Sequence, residues 1–510
     1  MKKEVSFKRF RNLINRRMFI ILLIIAQIVG TAVFLFRLTW MQEILTIFSI
    51  VTALHLLMRH DKSAFKLSLI FLILLFPIFG GAFYWIFHAQ TLSIGFRMRL
   101  ARVERNSHAA LPASRTELTE AKQALPTAQK QLSYMEKNTP FSLYGNTDTR
   151  YFPSGKAMLS CFLEDLKSAK QYIFLEYFII EHGKMWDSIL EVLKERAAAG
   201  VDVRIIYDDL GCFLTLSPDY PKYLHMLGIK CEKFNRFHPF LTSTQNNRDH
   251  RKITVIDSKI AYTGGINLAD EYIGEKVKHG RWKDCAIRLQ GEGAWSFTVM
   301  FLQFWGFLTK EEADYKSFRP TNSEPTVTAR GWIQPYADGP MSTENIGEQV
   351  YQHIIDGAQR YLYITTPYLM VDDGMIFALE TAAKSGVDVR IITPEIPDKK
   401  TVLFTTRSYY RDLLRAGVRI YEYTGGFMHA KTFLADDTVA TVGTFNLDFR
   451  SLYLHFECGV CLYGTDSITD LKQDFLDTLT ECREITLQDC KNNIFIRFWQ
   501  SICRIFAPLM

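Results

Sequence analysis

Two long apolar runs lie near the start of the chain. Residues 18–36 and 67–87 carry no charge, and each is about long enough to cross the roughly 30 Å hydrocarbon core of a bilayer as a helix. The pattern predicts two membrane-spanning helices. A shorter run, residues 44–58, fits either a third crossing or an interfacial helix. A cleaved signal peptide is an alternative for the first run, but no small-residue cleavage site follows it.

The first 100 residues are therefore predicted to anchor a multi-pass protein in the cell membrane. Residues 1–17 contain seven lysines and arginines against one glutamate, which favours an anionic membrane surface over nucleic acid as partner. This basic segment should stay cytoplasmic. Two crossings then leave the rest of the chain inside and three leave it outside, so the side of the membrane stays open.

Beyond a polar helical connector, residues 101–140, the chain alternates between strand-like and helix-like segments and does so twice. The β-branched and aromatic run at 171–180 is matched by the run at 360–369. The heptapeptide GVDVRII occurs at 200–206 and again at 386–392, each time after a helix-like stretch. This order predicts an α/β fold with a partly parallel sheet in each half.

These repeats divide the rest of the chain into similar domains at 141–316 and 332–490. Residues 317–331 contain two prolines and several small polar residues, and are interpreted as the linker. A short apolar and basic tail, 491–510, follows the second domain. The predicted fold class is two tandem α/β domains related by a pseudo-twofold axis, behind N-terminal transmembrane helices.

Each half carries the same motif, H-x-K-x4-D-x6-G-x-x-N. Two copies of a pattern this long exclude chance as its origin. The motif residues are His250, Lys252, Asp257, Gly264 and Asn267 in the first half, and His429, Lys431, Asp436, Gly443 and Asn446 in the second. Histidine and lysine at i and i+2 of a strand point to one face. We expect the two faces to meet across a shared cleft.

Two imidazoles, two ammonium groups and two amides in one cleft suit a phosphodiester substrate. Lysines and asparagines would hold the non-bridging oxygens and stabilise charge in the five-coordinate state. One imidazole would attack phosphorus while the other protonates the leaving alcohol, and would later deprotonate an incoming alcohol or water. The lysines supply positive charge, so no metal or cofactor is expected. Zinc binding by the two histidines and two aspartates is an alternative, which the lysines oppose.

Four carboxylates are candidates for supporting roles. Asp257 and Asp436 lie five places beyond the motif lysines, hence on the opposite strand face, and are expected to brace the motif. Asp284 and Glu457, each roughly thirty residues past the histidine of its own repeat, are candidates for orienting an imidazole. A surface location is the alternative for these two.

The nine cysteines are scattered and form no disulfide framework. Cys458 and Cys461 make a C-x-x-C within an apolar, strand-like run with no second pair nearby. We expect them to be buried small hydrophobic residues and not zinc or redox ligands.

With these motifs, the chain resembles the phospholipase D superfamily and, more narrowly, the bacterial cardiolipin synthases. The resemblance covers nearly the whole chain and implies that His250, Lys252, Asp257, His429, Lys431 and Asp436 are catalytic, with Asn267 and Asn446 near the phosphate. It favours His250 as nucleophile and His429 as acid, although the residues themselves do not break that tie. Asp338 departs from the pattern, since relatives typically have serine before the following glycine-proline pair.

The resemblance also implies a reaction and its partners. A phosphatidyl group would pass from one phosphatidylglycerol, through a phosphohistidine, to a second phosphatidylglycerol in the lipid bilayer, giving cardiolipin and glycerol. A membrane phospholipase D hydrolase, or a phosphatidyltransferase using another alcohol, remains an alternative because the acceptor is selected by the shape of the pocket. Nucleic acid is not expected as a partner.

Overall fold

A computed structural model was analysed for this chain. It describes residues 25, 29–30, 33, 41–60, 62–77, 80–87, 94–112, 115–236, 246–319, 328–342 and 344–510. Most of the predicted span at 18–36, the basic segment 1–17 and residues 320–327 of the predicted linker lie outside the described residues. The chain divides into two compact units, one comprising residues 1–96, 235–247 and 509 and the other residues 97–234, 248–508 and 510.

The described residues of the first unit include the helices α1 (Met41–Met58), α2 (Ser63–Leu75) and α3 (Gly80–Phe87). The prediction of one continuous helix over 67–87 is wrong, because α2 ends before α3 begins. Pro77 lies in this break, and proline has no backbone N–H and clashes with the preceding turn of a helix.

Helix α3 folds back against its two neighbours. A Cβ on Gly80 would lie 2.5 Å from the Cα of Ile73 in α2, so only glycine permits this approach. The backbone N–H of Gly81 donates to the Ser49 hydroxyl of α1 at 2.9 Å. Within the described residues, none of the helices has both the length and the apolar character needed to cross a membrane.

The second unit begins with short helices and continues into a seven-stranded sheet. The helices up to the end of this half are α4 (Ile94–His108), α5 (Arg115–Ala124), α6 (Gln129–Asn138), α7 (Gly155–Ser168), α8 (Lys184–Ala198), α9 (Tyr220–Met226) and α10 (Ala294–Thr309). The strands are β1 (Thr147–Phe152), β2 (Tyr172–Tyr177), β3 (Asp202–Asp208), β4 (Lys230–Phe234), β5 (Lys252–Ile256), β6 (Ile260–Gly264), β7 (Arg281–Lys283) and β8 (Ala286–Gly291). The sheet order is β1-β8-β6-β5-β2-β3-β4.

The second half builds an eight-stranded sheet. Its helices are α11 (Ile346–Gly357), α12 (Asp373–Lys384), α13 (Lys400–Ala416), α14 (Phe449–Tyr453), α15 (Ser467–Leu479) and α16 (Ile494–Phe506). Its strands are β9 (Trp332–Asp338), β10 (Tyr361–Thr365), β11 (Leu369–Met370), β12 (Asp388–Pro394), β13 (Arg419–Tyr423), β14 (Gly426–Met428), β15 (Thr432–Ala435), β16 (Val439–Gly443), β17 (Leu447–Asp448), β18 (Glu457–Tyr463) and β19 (Cys482–Ile485). The sheet order is β19-β13-β12-β10-β15-β16-β18-β9.

The two sheets repeat one another, and the second adds only the edge strand β19. In each, the three strands that alternate with helices are parallel and the motif hairpin is antiparallel. Strands β2 and β10 are buried along their whole length, as expected for central strands covered on both faces. The prediction of two α/β domains with partly parallel sheets is confirmed.

The motif aspartates form the turns of these hairpins. Asp257 and Ser258 have φ values of 51° and 52°, and Asp436 and Asp437 have 56° and 61°, the backbone geometry of a type I′ turn. The Asp257 carboxylate accepts from the backbone N–H groups of residues 170, 171 and 172 at 2.7–2.8 Å. The Asp436 carboxylate accepts from those of residues 359, 360 and 361 at 2.6–2.9 Å. Each aspartate thus ties its hairpin to the start of the neighbouring central strand.

Replacing Asp436 with alanine should lower the free energy of unfolding by about 2–4 kcal/mol, because three backbone donors lose a charged acceptor. Urea denaturation of the detergent-solubilised protein measures this change. Asp466→Ala is the matched control, since Asp466 is exposed and forms a surface pair with Arg330, worth about 1 kcal/mol or less. Equal effects of the two substitutions would contradict the bracing role.

Candidate active site

Backbone pairing holds each motif histidine against the opposite repeat. The N–H of His250 donates to the carbonyl of Phe456 at 2.9 Å, and residue 249 bridges to the same segment. The N–H of His429 donates to the carbonyl of Lys283 at 2.7 Å, beside the parallel pair of β7 and β14. The histidine-bearing segment of each repeat therefore pairs with the backbone of the other repeat, and this pairing brings the two motifs together at the interface between the repeats.

The imidazoles are paired with carboxylates in a crossed arrangement. Nδ1 of His250 lies 2.9 Å and 3.0 Å from the two carboxylate oxygens of Glu457, which belongs to the second repeat. Nδ1 of His429 lies 2.6 Å from Oδ2 of Asp284, which belongs to the first repeat. Both orienting candidates thus contact a histidine, and each contacts the histidine of the other repeat. With Nδ1 held by a carboxylate, Nε2 is the nitrogen of each ring left for a substrate.

Further hydrogen bonds fix the positions of the two carboxylates. The hydroxyls of Thr444 and Ser451 donate to Glu457 at 2.5 Å and 2.6 Å. Asp284 accepts from the backbone N–H of Cys285 at 2.8 Å. A Cβ on Gly265 would lie 2.1 Å from Oδ1 of Asp284, so this position within the first motif requires glycine.

Burial keeps both imidazoles neutral. Desolvation lowers the pKa of His250 to about 3, with Lys252 acting in the same direction and Glu457 opposing. Desolvation, reinforced by the charges of Lys431 and Lys252, also lowers the pKa of His429 well below its usual value. A neutral imidazole can attack phosphorus or accept a proton, whereas the imidazole that serves the leaving alcohol must carry a proton on Nε2.

The two carboxylates differ in their affinity for a proton. Burial by itself would raise the pKa of Glu457, but the hydrogen bonds with His250 and the nearby His455 ring outweigh it and lower that pKa. For Asp284 burial dominates and raises the pKa to about 7. Glu457 is therefore ionised at neutral pH, whereas the Asp284 carboxyl is protonated in part of the molecules.

The motif lysines lie against the histidine backbones. Nζ of Lys252 donates to the carbonyl of His250 at 2.6 Å. Nζ of Lys431 contacts the carbonyl of His429 and lies 2.9 Å from Nδ1 of the same residue. Desolvation lowers the pKa of Lys252 to about 7 and that of Lys431 to about 8, while Asp284 and Glu457 raise both. The charge of Lys431 also lowers the pKa of Lys252, so the two lysines share one electrostatic environment.

Arg251, between the histidine and lysine of the first motif, points to the opposite side. Its Nη2 lies 2.5 Å from Glu176, and its guanidinium lies 3.5 Å from the centre of the Phe304 ring. This alternation agrees with the expectation that residues i and i+2 share one face.

The two motif asparagines have different surroundings. Asn267 is engaged by the protein at both ends of its amide, since Nδ2 donates to the Tyr272 hydroxyl at 2.7 Å and Oδ1 accepts from the N–H of Ile179 at 3.1 Å. Nδ2 of Asn446 lies 3.4 Å from Asp448, and its Oδ1 is buried without a hydrogen-bond partner among the described residues. Asn446 is thus the less constrained of the pair.

His455 is a member of the site that sequence reasoning missed. Its ring centre lies 5.7 Å from that of His250, and its Nδ1 lies 3.8 Å from Oε1 of Glu457. Its position two residues before Glu457 was the available signal. His455 lies outside the repeated histidine–lysine motif, so the motif does not identify it.

His250, His455 and Glu457 have ligand atoms within 4.8 Å of one another, close enough to hold a cation. Glu457 already accepts hydrogen bonds from His250, Thr444 and Ser451. The zinc alternative built on both motif aspartates loses those two ligands, because Asp257 and Asp436 bind backbone N–H groups at the hairpin turns.

Asp338, the departure from the expected serine, has a structural role. Its carboxylate accepts from the backbone N–H groups of Gly339 at 2.8 Å and Gly347 at 3.0 Å, and thereby ties the end of β9 to the first turn of α11. Burial raises its pKa to about 6 despite these bonds.

The C-x-x-C cysteines are both buried in β18 and are not disulfide-bonded. The Thr263 hydroxyl lies 3.6 Å from Sγ of Cys458, and the Gln131 amide donates to Sγ of Cys461 at 3.6 Å. Burial raises both thiol pKa values to about 12, so neither thiol ionises readily at neutral pH.

The family model described as cardiolipin synthase, PLD-like domain, matches residues 162–277 and 351–479. The cardiolipin synthase of Halalkalibacterium halodurans is 32% identical, with 96% of this chain and 99% of the relative covered. That of Geobacillus kaustophilus is 33% identical, with 96% and 98% covered. This chain belongs to the cardiolipin synthase family.

Among solved structures, the phosphatidylserine synthase of Haemophilus influenzae matches with a TM-score of 0.56 and 16% identity, covering 77% of this chain and 98% of that one. This likeness shows a shared fold of paired α/β domains. The segments matched by the cardiolipin synthase model contain both histidine motifs and Glu457, whereas Asp284 lies outside them. In this cardiolipin synthase family member, the pairing of Asp284 with His429 is therefore shown by the structure and not by the family match.

Diethylpyrocarbonate, which modifies neutral imidazole, tests the lowered histidine pKa values. The reactivity of an ordinary histidine, with a pKa near 6.5, should fall more than about tenfold between pH 7 and pH 5, because its neutral fraction falls by that factor. His250 and His429 should keep theirs, because burial holds the pKa of each ring well below its usual value and leaves the ring neutral across this interval. Peptide mass spectrometry of the intact labelled protein measures each site, and His250→Gln identifies the first. A parallel loss at all histidines would contradict neutral imidazoles at the site.

Proposed function

We propose that this enzyme is a cardiolipin synthase that transfers a phosphatidyl group between two phosphatidylglycerol molecules through a phosphohistidine. The crossed pairing of two neutral imidazoles with buried carboxylates, beside two lysines, carries the proposal. This arrangement offers a nucleophile, a proton donor and positive charge to one phosphodiester. Membership of the cardiolipin synthase family supports the choice of substrate.

In the first step, Nε2 of His250 attacks phosphorus of the donor lipid. A P–N bond forms, the bond from phosphorus to the glycerol headgroup breaks, and glycerol leaves with a proton from His429. Lys252 and Lys431 stabilise the charge that builds on the non-bridging oxygens.

The second step reverses these roles. His429 takes the proton from a headgroup hydroxyl of the acceptor phosphatidylglycerol, and that oxygen attacks phosphorus. The P–N bond breaks, His250 is released, and cardiolipin is the product. Water in place of the acceptor would give phosphatidic acid, so the enzyme must favour the lipid alcohol over water.

The unequal carboxylates favour His250 as nucleophile and His429 as acid. Glu457 is ionised and fixed by two hydroxyls, so it orients His250 with Nε2 unprotonated. Asp284 has a pKa of about 7 and retains a proton within the His429 pair, which suits a group that must donate one to the leaving alcohol.

We also propose that the enzyme acts at the cell membrane as a multi-pass protein. Its substrates are bilayer lipids, and the apolar run at 18–36 is about long enough to cross a bilayer. Cysteine labelling from outside intact cells, at positions introduced between the apolar runs, determines the number of crossings and the side that carries the catalytic domains.

Purified enzyme in detergent should convert labelled phosphatidylglycerol into cardiolipin and free glycerol. His250→Ala and His429→Ala should each reduce kcat by about a thousandfold or more, since each removes a group that changes bonding or protonation at the transition state. Thin-layer chromatography and mass spectrometry identify the products. A chelator should leave the rate unchanged.

His182→Ala is the matched control, because His182 is a histidine of the same domain that is outside both motifs in sequence and is paired with Asp187. If phosphatidic acid is the sole product, the enzyme is a hydrolase and not a synthase. Activity lost on chelation and restored by zinc would overturn the metal-free mechanism.

A phosphatidyl ester of p-nitrophenol separates the roles of the two histidines, because nitrophenolate leaves without needing a proton. In His429→Gln the first step should proceed and the second should stall, so that a phosphatidyl adduct accumulates on His250. Mass spectrometry of the quenched protein locates the adduct. An adduct on His429 in His250→Gln, and none on His250 in the converse variant, would reverse the assignment.

A further inference from the structure

The last helix, α16, exposes a continuous apolar face. Ile494, Phe495, Phe498 and Trp499 are 77%, 73%, 59% and 57% exposed. Their spacing of i, i+1, i+4 and i+5 places them on one side of the helix. Exposed aromatic side chains grouped in this way are uncommon on a protein surface in water and indicate a contact with an apolar phase or a partner.

The other side of α16 is attached to the second domain. Nη1 of Arg504 donates to Asp412 at 2.8 Å, and the same guanidinium lies 4.4 Å from the centre of the Tyr409 ring. Both partners belong to α13. The helix also has an ordered start, because Oδ1 of Asn493 accepts from the N–H of Ile496 at 2.8 Å. The apolar face therefore belongs to a docked helix and not to a frayed tail.

A basic cavity of about 540 Å³ lies at the start of α16. Its lining residues are Arg411, Arg415, Leu487, Cys490, Lys491, Asn492, Asn493 and Arg497. Four of these eight are cationic and none is acidic. Two carboxylates near Cys490 are already paired, since Glu422 accepts from Arg407 at 2.8 Å and Asp489 from Arg483 at 2.8 Å.

We propose that α16 and this basic cavity form a docking site for the anionic surface of a phospholipid bilayer. The cavity would take the phosphate of an anionic lipid, and the apolar face would enter the boundary between headgroups and acyl chains. Aromatic side chains favour that boundary, and a helix with one apolar and one basic side lies in its plane. The cations Arg411, Arg415 and Arg497 would approach the lipid phosphates.

Charge favours a bilayer over a second copy of the chain as the occupant. In a symmetric dimer the same patch meets itself, so a contact built on α16 would bring the four cations of one copy towards the four of the other. An anionic bilayer presents the complementary charge and an apolar layer beside it.

This site shares no residue with the paired-histidine site, and the proposal does not depend on the reaction. It differs from anchoring by the N-terminal apolar runs, because it predicts lipid contact at named residues near the C-terminus. A binding readout therefore tests it even if the proposed reaction is wrong.

The test uses the full-length protein in nanodiscs that contain phosphatidylcholine and phosphatidylglycerol with brominated acyl chains, which quench nearby tryptophan. The difference in emission between the wild type and Trp499→Phe isolates Trp499. We expect this component to lose more than half of its intensity in brominated discs relative to unbrominated ones. Replacing Arg411 and Arg415 together with glutamine should reduce the quenching, and added salt should do the same because it screens the attraction.

Discs of phosphatidylcholine alone should abolish the effect of the arginine substitutions. Phe377→Gln is the matched control, since Phe377 is 71% exposed on α12 of the same domain and should leave the quenching unchanged. Unquenched Trp499 in folded protein would overturn the proposal. So would a Phe498→Gln variant that changes the oligomeric state, measured by mass photometry, without changing the quenching of Trp499.

Discussion

The crossed histidine–carboxylate pairs are the interaction on which the rest of the site depends. Glu457 of the second repeat holds His250 of the first, and Asp284 of the first holds His429 of the second. A carboxylate bonded to Nδ1 fixes both the tautomer and the direction of the ring. Neither repeat can orient its own histidine, so the duplicated fold produces one site and not two.

Burial gives these pairs their chemical character. Removing water lowers the pKa values of both imidazoles and both lysines and raises that of Asp284. At neutral pH the histidines are uncharged, and the lysines lie close to their titration range. A phosphodiester entering this environment brings negative charge that favours the protonated lysines, which strengthens binding as the transition state forms.

The N-terminal region shows where a sequence pattern is insufficient. Residues 67–87 have the composition of one membrane-spanning helix, but Pro77 ends the first segment and two glycines let α3 approach α1 and α2 closely. Composition reports the preference for an apolar environment, whereas helix continuity depends on a few backbone positions. The motif aspartates are a second case, because strand alternation places them on a strand face, whereas they form the hairpin turns and accept from backbone N–H groups of the neighbouring segment.

The sequence by itself determined the duplicated α/β domains, the two histidine–lysine pairs and the small group of carboxylates able to orient them, because these follow from periodicity and exact repetition along the chain. Tertiary structure alone decided that the carboxylates cross between repeats, that His455 joins Glu457, and that Asn267 is held by Tyr272. The crossed contacts join residues 207 and 145 positions apart, and no local preference encodes which surfaces meet when two sheets pack together.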